Sequence, residues 1–100
     1  MNPVPAVPAK DWESWASVRD AVLLDIREEY EWSLGTLPGA TLIPMSELVQ
    51  RIDELPRDRP ILCVCRSGSR SHQVAAYLIH RGFEDVANMT GGMKALGMQD

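Results

Sequence analysis

Long apolar runs are missing from this 100-residue sequence. Nothing approaches the ~18–20 consecutive residues of a membrane-spanning helix, and the opening MNPVPAVPAK lacks the apolar core of a secretory signal. A cytoplasmic protein is expected, with no membrane partner. An excess of positive charge is missing too: ten Lys and Arg against fourteen Asp and Glu leave a net charge of −4. That balance excludes a general attraction to nucleic acid, so any bound anion must be held by locally placed cations. Cysteine is scarce, with only Cys63 and Cys65 present. On a strand, residues two apart place parallel Cβ atoms ~6.6 Å apart, against the ~3.8 Å of a disulfide. The two thiols are therefore free, as suits a reducing compartment. No second cluster of ligands accompanies Cys-Val-Cys, which excludes a zinc site, and no cofactor site is evident. Repeats, low-complexity tracts and interdomain linkers are absent as well. With 45% hydrophobic residues, what remains reads as a single domain over residues 1–100, its first four residues a flexible tail.

The pattern along the chain alternates short apolar runs with amphipathic segments. Pro3, Pro5 and Pro8 exclude helix at the start and suit a tail followed by a short edge strand. Trp12, Trp15 and Val18 have helical spacing within 11–19, and AVLLDI at 21–26 reads as a strand covered on both faces. One or two helical turns follow at 28–34, ended by Gly35; LPGA at 37–40 is a turn, and Thr41 to Ile43 a brief strand. Ser46 is placed to cap a helix carrying Leu48, Val49, Ile52 and Leu55, stopped by Pro56. ILCVC after Pro60 is the second buried strand, and 71–81 the clearest helix, closed by Gly82. A last strand at 85–89 and a Gly91-Gly92 turn lead to a short helix. This alternation predicts an α/β fold: a small parallel sheet of about five strands with helices on both faces. Ligands of such sheets lie beyond the carboxyl ends of the strands, where Asp25-Ile26-Arg27 and Cys65 fall.

The segment Cys65-Arg66-Ser67-Gly68-Ser69-Arg70-Ser71 joins the second buried strand to the clearest helix. A loop entering a helix turns free backbone N–H groups inward, and the helix dipole adds positive potential. Gly68 permits the curvature of an amide cradle, and Arg66 and Arg70 add two permanent charges. Each feature favours a thiolate at Cys65, opposed only by partial burial. The same donors would hold an oxyanion donor during attack by the sulfur.

Cys65-Arg66-Ser67-Gly68-Ser69-Arg70 resembles the six-residue active-site loop of rhodaneses, C-x-x-G-x-R. Leu24-Asp25-Ile26-Arg27, Glu31-Trp32 and Gly35-Thr36-Leu37-Pro38-Gly39-Ala40 resemble that family's D-V-R…E-[FY]…G-H-I-P-G-A stretch, and Arg81-Gly82-Phe83, Val86 and Gly91-Gly92 its ending. The segments keep the family's order over about nine-tenths of the chain. Two positions depart: Thr36 stands for the usual His, and Leu96 where a Trp is common. The resemblance implies a thiosulfate sulfurtransferase carrying sulfur as a persulfide on Cys65. Residues Arg66, Ser67, Gly68, Ser69, Arg70 and Ser71 would bind the donor, and cyanide, a small thiol or a protein thiol would accept the sulfur. It implies no metal and no organic cofactor.

Other residues read more simply. Cys63 is core, His72 a solvated side chain, and His80 with Arg81 suits the negative end of a helix. Trp12 and Trp15 are core, and Asp25, Arg27 and Glu31 form a structural polar network. Ser71 both bonds the persulfide and caps its helix. Two rivals stand beside sulfur transfer. A cysteine phosphatase or arsenate reductase would need five residues between Cys and Arg; Cys65 and Arg70 enclose four, a ring suited to a single sulfur atom. A rhodanese-like module that only binds a partner would commonly lack the cysteine.

Overall fold

The computed structural model describes residues 3–98. Its strands are β1 (Ala6–Pro8), β2 (Val22–Asp25), β3 (Thr41–Leu42), β4 (Ile61–Val64) and β5 (Val86–Thr90). Its helices are α1 (Trp12–Arg19), α2 (Glu29–Trp32), α3 (Ser69–His80) and α4 (Gly92–Ala95). All strand pairs are parallel, in the order β1-β5-β4-β2-β3. The expected α/β architecture of about five strands is what the chain adopts.

The apolar runs become strands because their side chains are wanted on both faces. On one face Val22, Leu24, Ile26, Ile61, Cys63 and Cys65 pack under Val74, Ala75 and Leu78 of α3, with Leu48, Ile52 and Leu55 alongside. On the other, Leu23, Leu62, Val64, Ala87 and Met89 meet Ala16 of α1 and Met93 of α4. Trp12 and Trp15 lie half-buried at the edge of this second cluster, so they cover the core rather than fill it. Val18, at the same helical spacing, faces solvent.

The expected helix from Ser46 does not form. Two 3₁₀ turns, Met45–Glu47 and Ile52–Glu54, stand in its place. Leu48, Ile52 and Leu55 are buried all the same, because two tight turns bring those three positions to one side, while Val49 is exposed. The segment lies between Pro44 and Pro56, and Leu55 before Pro56 is held in an extended conformation, out of a continuous helix. Ser46 is not a cap: its hydroxyl donates to Glu28 Oε1 at 3.0 Å. At the amino end, Val4 is half-buried against the α3-side core, so the expected tail is packed at least from there. Residues 1 and 2 lie outside the described residues. Among the described residues, no helix is long and apolar enough to cross a membrane.

Two connections run in opposite directions across the sheet: β2 leads out to β3, whereas β4 leads to β5 on its other side. Strand order therefore reverses between β2 and β4, the place where parallel sheets open a crevice at their carboxyl ends. Cys65 follows β4 at this point, and Arg27 follows β2.

Candidate active site

Cys65 leaves β4 on the α3 side and forms the floor of the loop. Its Sγ receives the Gly68 N–H at 3.1 Å, the Ser71 N–H at 3.3 Å and the Ser71 hydroxyl at 3.2 Å. The loop can close this tightly because Gly68 adopts a φ of +98°, open to glycine at little cost. The same glycine approaches the end of β5: an added Cβ would lie 3.2 Å from both the Gly91 nitrogen and the Met89 carbonyl oxygen.

Burial of Cys65 is complete rather than partial. It is the largest single influence on the thiol and pushes its pKa up. The Ser71 hydroxyl and the amides of Ser71, Gly68 and Ser67 outweigh it together and hold the thiol below its ordinary value. Cys63, two residues back on the same face, has no such set; burial, with the nearby charge of Cys65, pushes its thiol far up.

The two loop arginines differ in their surroundings. Arg70 is drawn onto Glu31 in a two-pronged pair, Nη1 to Oε1 at 2.7 Å and Nη2 to Oε2 at 2.8 Å. Its charge acts on Cys65 through space, while its hydrogen bonds go to the carboxylate. Arg66 is half-buried, and its carbonyl accepts the Lys94 N–H at 2.8 Å. Ser67 and Ser69 are exposed, so Ser67 serves the sulfur through its amide. Helix α3 starts two residues before the expected Ser71, with Gly68 at its N-cap, which leaves Ser71 no capping role.

Asp25, Arg27 and Glu31 form the expected network, and it reaches the loop. Arg27 is fully buried and binds both oxygens of Asp25, its Nη2 at 2.7 Å from Oδ2. The guanidinium also donates to the carbonyls of Glu31 and Gly35. It thereby holds α2 and presents Glu31 to Arg70. At the other wall, α4 packs on the loop peptide, with the Met93 N–H on the Cys65 carbonyl at 2.9 Å. A Cβ at Gly92 would overlap the carbonyl oxygens of Arg66 and Cys65, so only glycine fits there. His72 is exposed.

A sequence profile of the Rhodanese-like domain matches residues 9–99. The chain belongs to that family. It is 41% identical over 80 residues to a sulfurtransferase of Allochromatium vinosum, covering 80% of this chain and 75% of that protein. It is 37% identical over 76 residues to the thiosulfate sulfurtransferase GlpE of Pseudoalteromonas translucida, covering 76% and 72%. The crystal structure of SSP1007 from Staphylococcus saprophyticus superposes with a TM-score of 0.86 at 25% identity, over 95% of each chain. In this rhodanese-like chain one site residue escaped the sequence reading. Asn88 of β5, 3% exposed, lies against the loop, its Nδ2 donating to the Gly68 carbonyl at 3.0 Å and its Oδ1 accepting from Ser71. The signal available was a lone amide within the apolar strand VANMT.

Proposed function

We propose that this rhodanese-family chain moves a sulfane sulfur from thiosulfate, or a donor like it, to a nucleophilic acceptor through a persulfide on Cys65. The observation that carries the reading is the set of N–H and O–H donors converging on Cys65 Sγ and absent from Cys63. A thiolate so held needs no general base. It attacks the outer sulfur of thiosulfate; a sulfur–sulfur bond forms to Cys65, the donor's own sulfur–sulfur bond breaks, and sulfite leaves with the electron pair. The negative charge then rests on the outer sulfur of the persulfide. Cyanide, or the thiolate of a small molecule or protein, takes that sulfur and restores the Cys65 thiolate, so charge balances in both halves.

The backbone amides from Ser67 to Ser71 suit the developing anion, and Arg66 and Arg70 supply positive potential to a dianionic donor. The four residues between Cys65 and Arg70, and the hold of Glu31 on that arginine, speak against a loop built for phosphate. Steady-state kinetics of thiocyanate formation test the proposal. Double displacement predicts parallel double-reciprocal lines when thiosulfate is varied at several cyanide concentrations. Cys65→Ser should abolish turnover while Cys63→Ala retains most of it. Equal loss in two folded variants would refute the assignment.

A further inference from the structure

The buried hydroxyl of Ser71 stands between two acceptors. Its Oγ lies 3.2 Å from Cys65 Sγ and 2.5 Å from Asn88 Oδ1. The far end of the amide fixes how Asn88 is turned: Nδ2 is 3.0 Å from the Gly68 carbonyl, which can only accept. The NH₂ must face Gly68 and the carbonyl must face Ser71. Asn88 Oδ1 cannot donate, and neither can a thiolate. Two acceptors thus compete for the single hydrogen of one hydroxyl. Ser71 is 0% and Asn88 3% exposed, so the loser is a buried polar atom left without its donor.

We propose that Asn88 is a positioning residue of the sulfur-transfer site, which takes the Ser71 hydrogen when Cys65 is a thiol or a persulfide and yields it when Cys65 is a bare thiolate. The inference rests on the reading of Cys65 as the sulfur carrier. With a thiol, the chain S–H to Oγ, then O–H to Oδ1, satisfies every group. With a thiolate, the hydroxyl turns to the sulfur and the Asn88 carbonyl is stranded. With a persulfide, the charge has moved to the outer sulfur, and the hydroxyl turns back. Asn88 therefore weighs against the unloaded thiolate and for the sulfur-loaded state, whereas the amides of Gly68 and Ser71 favour any anion. The charged and titratable groups that act on the sulfur are Cys63 behind it on β4 and Arg70, itself paired with Glu31; Arg66 of the loop and the exposed Lys94 of α4 belong to the segments beside it. Asn88 adds an uncharged control that acts through one rotating hydroxyl.

The test is the rate of Cys65 alkylation by iodoacetamide against pH in the Cys63→Ala protein. Asn88→Ala, Ser71→Ala and the double variant are compared with it. Asn88→Ala should give at least about threefold faster alkylation on the acidic limb, the scale of one net hydrogen bond. Asn88→Ala should change nothing once Ser71 is Ala. Slower alkylation in Asn88→Ala, or an effect that persists without the Ser71 hydroxyl, would overturn the proposal, because Asn88 would then act only by anchoring Gly68. The wild-type protein provides a check that needs no substitution: the side-chain amide resonances of Asn88 should titrate with Cys65 and revert on persulfide formation. Invariance of those resonances across the titration would also overturn it. Neither the alkylation nor the titration needs a sulfur donor, so both outcomes stand apart from whether Cys65 accepts sulfur.

Discussion

Cys63 and Cys65 share a strand, a face and complete burial, yet their thiols are driven in opposite directions. The difference is hydrogen bonding to the charged form, which only the residue entering the loop receives. Because the Cys65 pKa lies below its ordinary value, the nucleophile is lost as pH falls through that depressed value. Alkylation and sulfur transfer should therefore decline together on the acid side and share one midpoint. In Ser71→Ala, which removes the hydroxyl donor while keeping the Ser71 amide position, that midpoint should move to higher pH. A midpoint unchanged by Ser71→Ala would show that the hydroxyl gives the thiolate nothing. Cys63 was legible as core from its apolar flanks. The completeness of Cys65 burial was not, since a strand end is as often exposed as covered, and only the fold packs the α3-side core over it.

The loop is held between two elements, and each can be loosened separately. On the α2 side, Glu31 is 5% exposed and Arg70 33%. Arg70→Ala would remove both arginine hydrogen bonds from a buried carboxylate that keeps the Glu28 N–H, and should cost about 2–3 kcal/mol. Glu31→Gln, which lets Arg70 turn to solvent, should cost only about 1 kcal/mol. Urea denaturation would show the order, and equal losses would mean that burying the carboxylate without Arg70 carries no extra cost. On the α4 side, Gly92 has a φ of +61° and no room for a Cβ against the Cys65 and Arg66 carbonyls. Gly92→Ala should lower stability by about 1–3 kcal/mol and reduce sulfur transfer by displacing the loop peptide. A variant with wild-type melting temperature and turnover would contradict this account of the α4 contact. The Asp25, Arg27 and Glu31 network could be read from sequence as a cluster of charge beside a strand. The pairing of Glu31 with Arg70 could not, because 39 residues separate them and only the fold brings them together. Asn88 was hidden for a similar reason: a single amide in an apolar strand shows its meaning once a loop carbonyl and a hydroxyl face it. The segment 46–55 misled because spacings of three and four serve two tight turns as well as one helix.

At the scale of the whole molecule, topology decides where chemistry can occur. Parallel strands all point their carboxyl ends one way, and the reversal of order between β2 and β4 opens that end where Cys65 and Arg27 emerge. A net charge of −4 does not work against an anionic donor there, because the potential at the sulfur is set by the amides on it and the nearby charge of Arg70, and distant surface charge is screened. The sheet and its two covered faces were readable from the apolar runs at 21–26 and 61–65. The order of strands was not, since periodicity says nothing of which strands are neighbours. All of these features converge on one claim, that Cys65 takes up and holds a sulfur atom. Intact-mass measurement of the protein after incubation with thiosulfate tests it most directly. The account predicts a gain of one sulfur atom in the wild type and in Cys63→Ala, removed by cyanide and absent from Cys65→Ser. An unchanged mass in the wild type, or a gain that survives in Cys65→Ser, would contradict it.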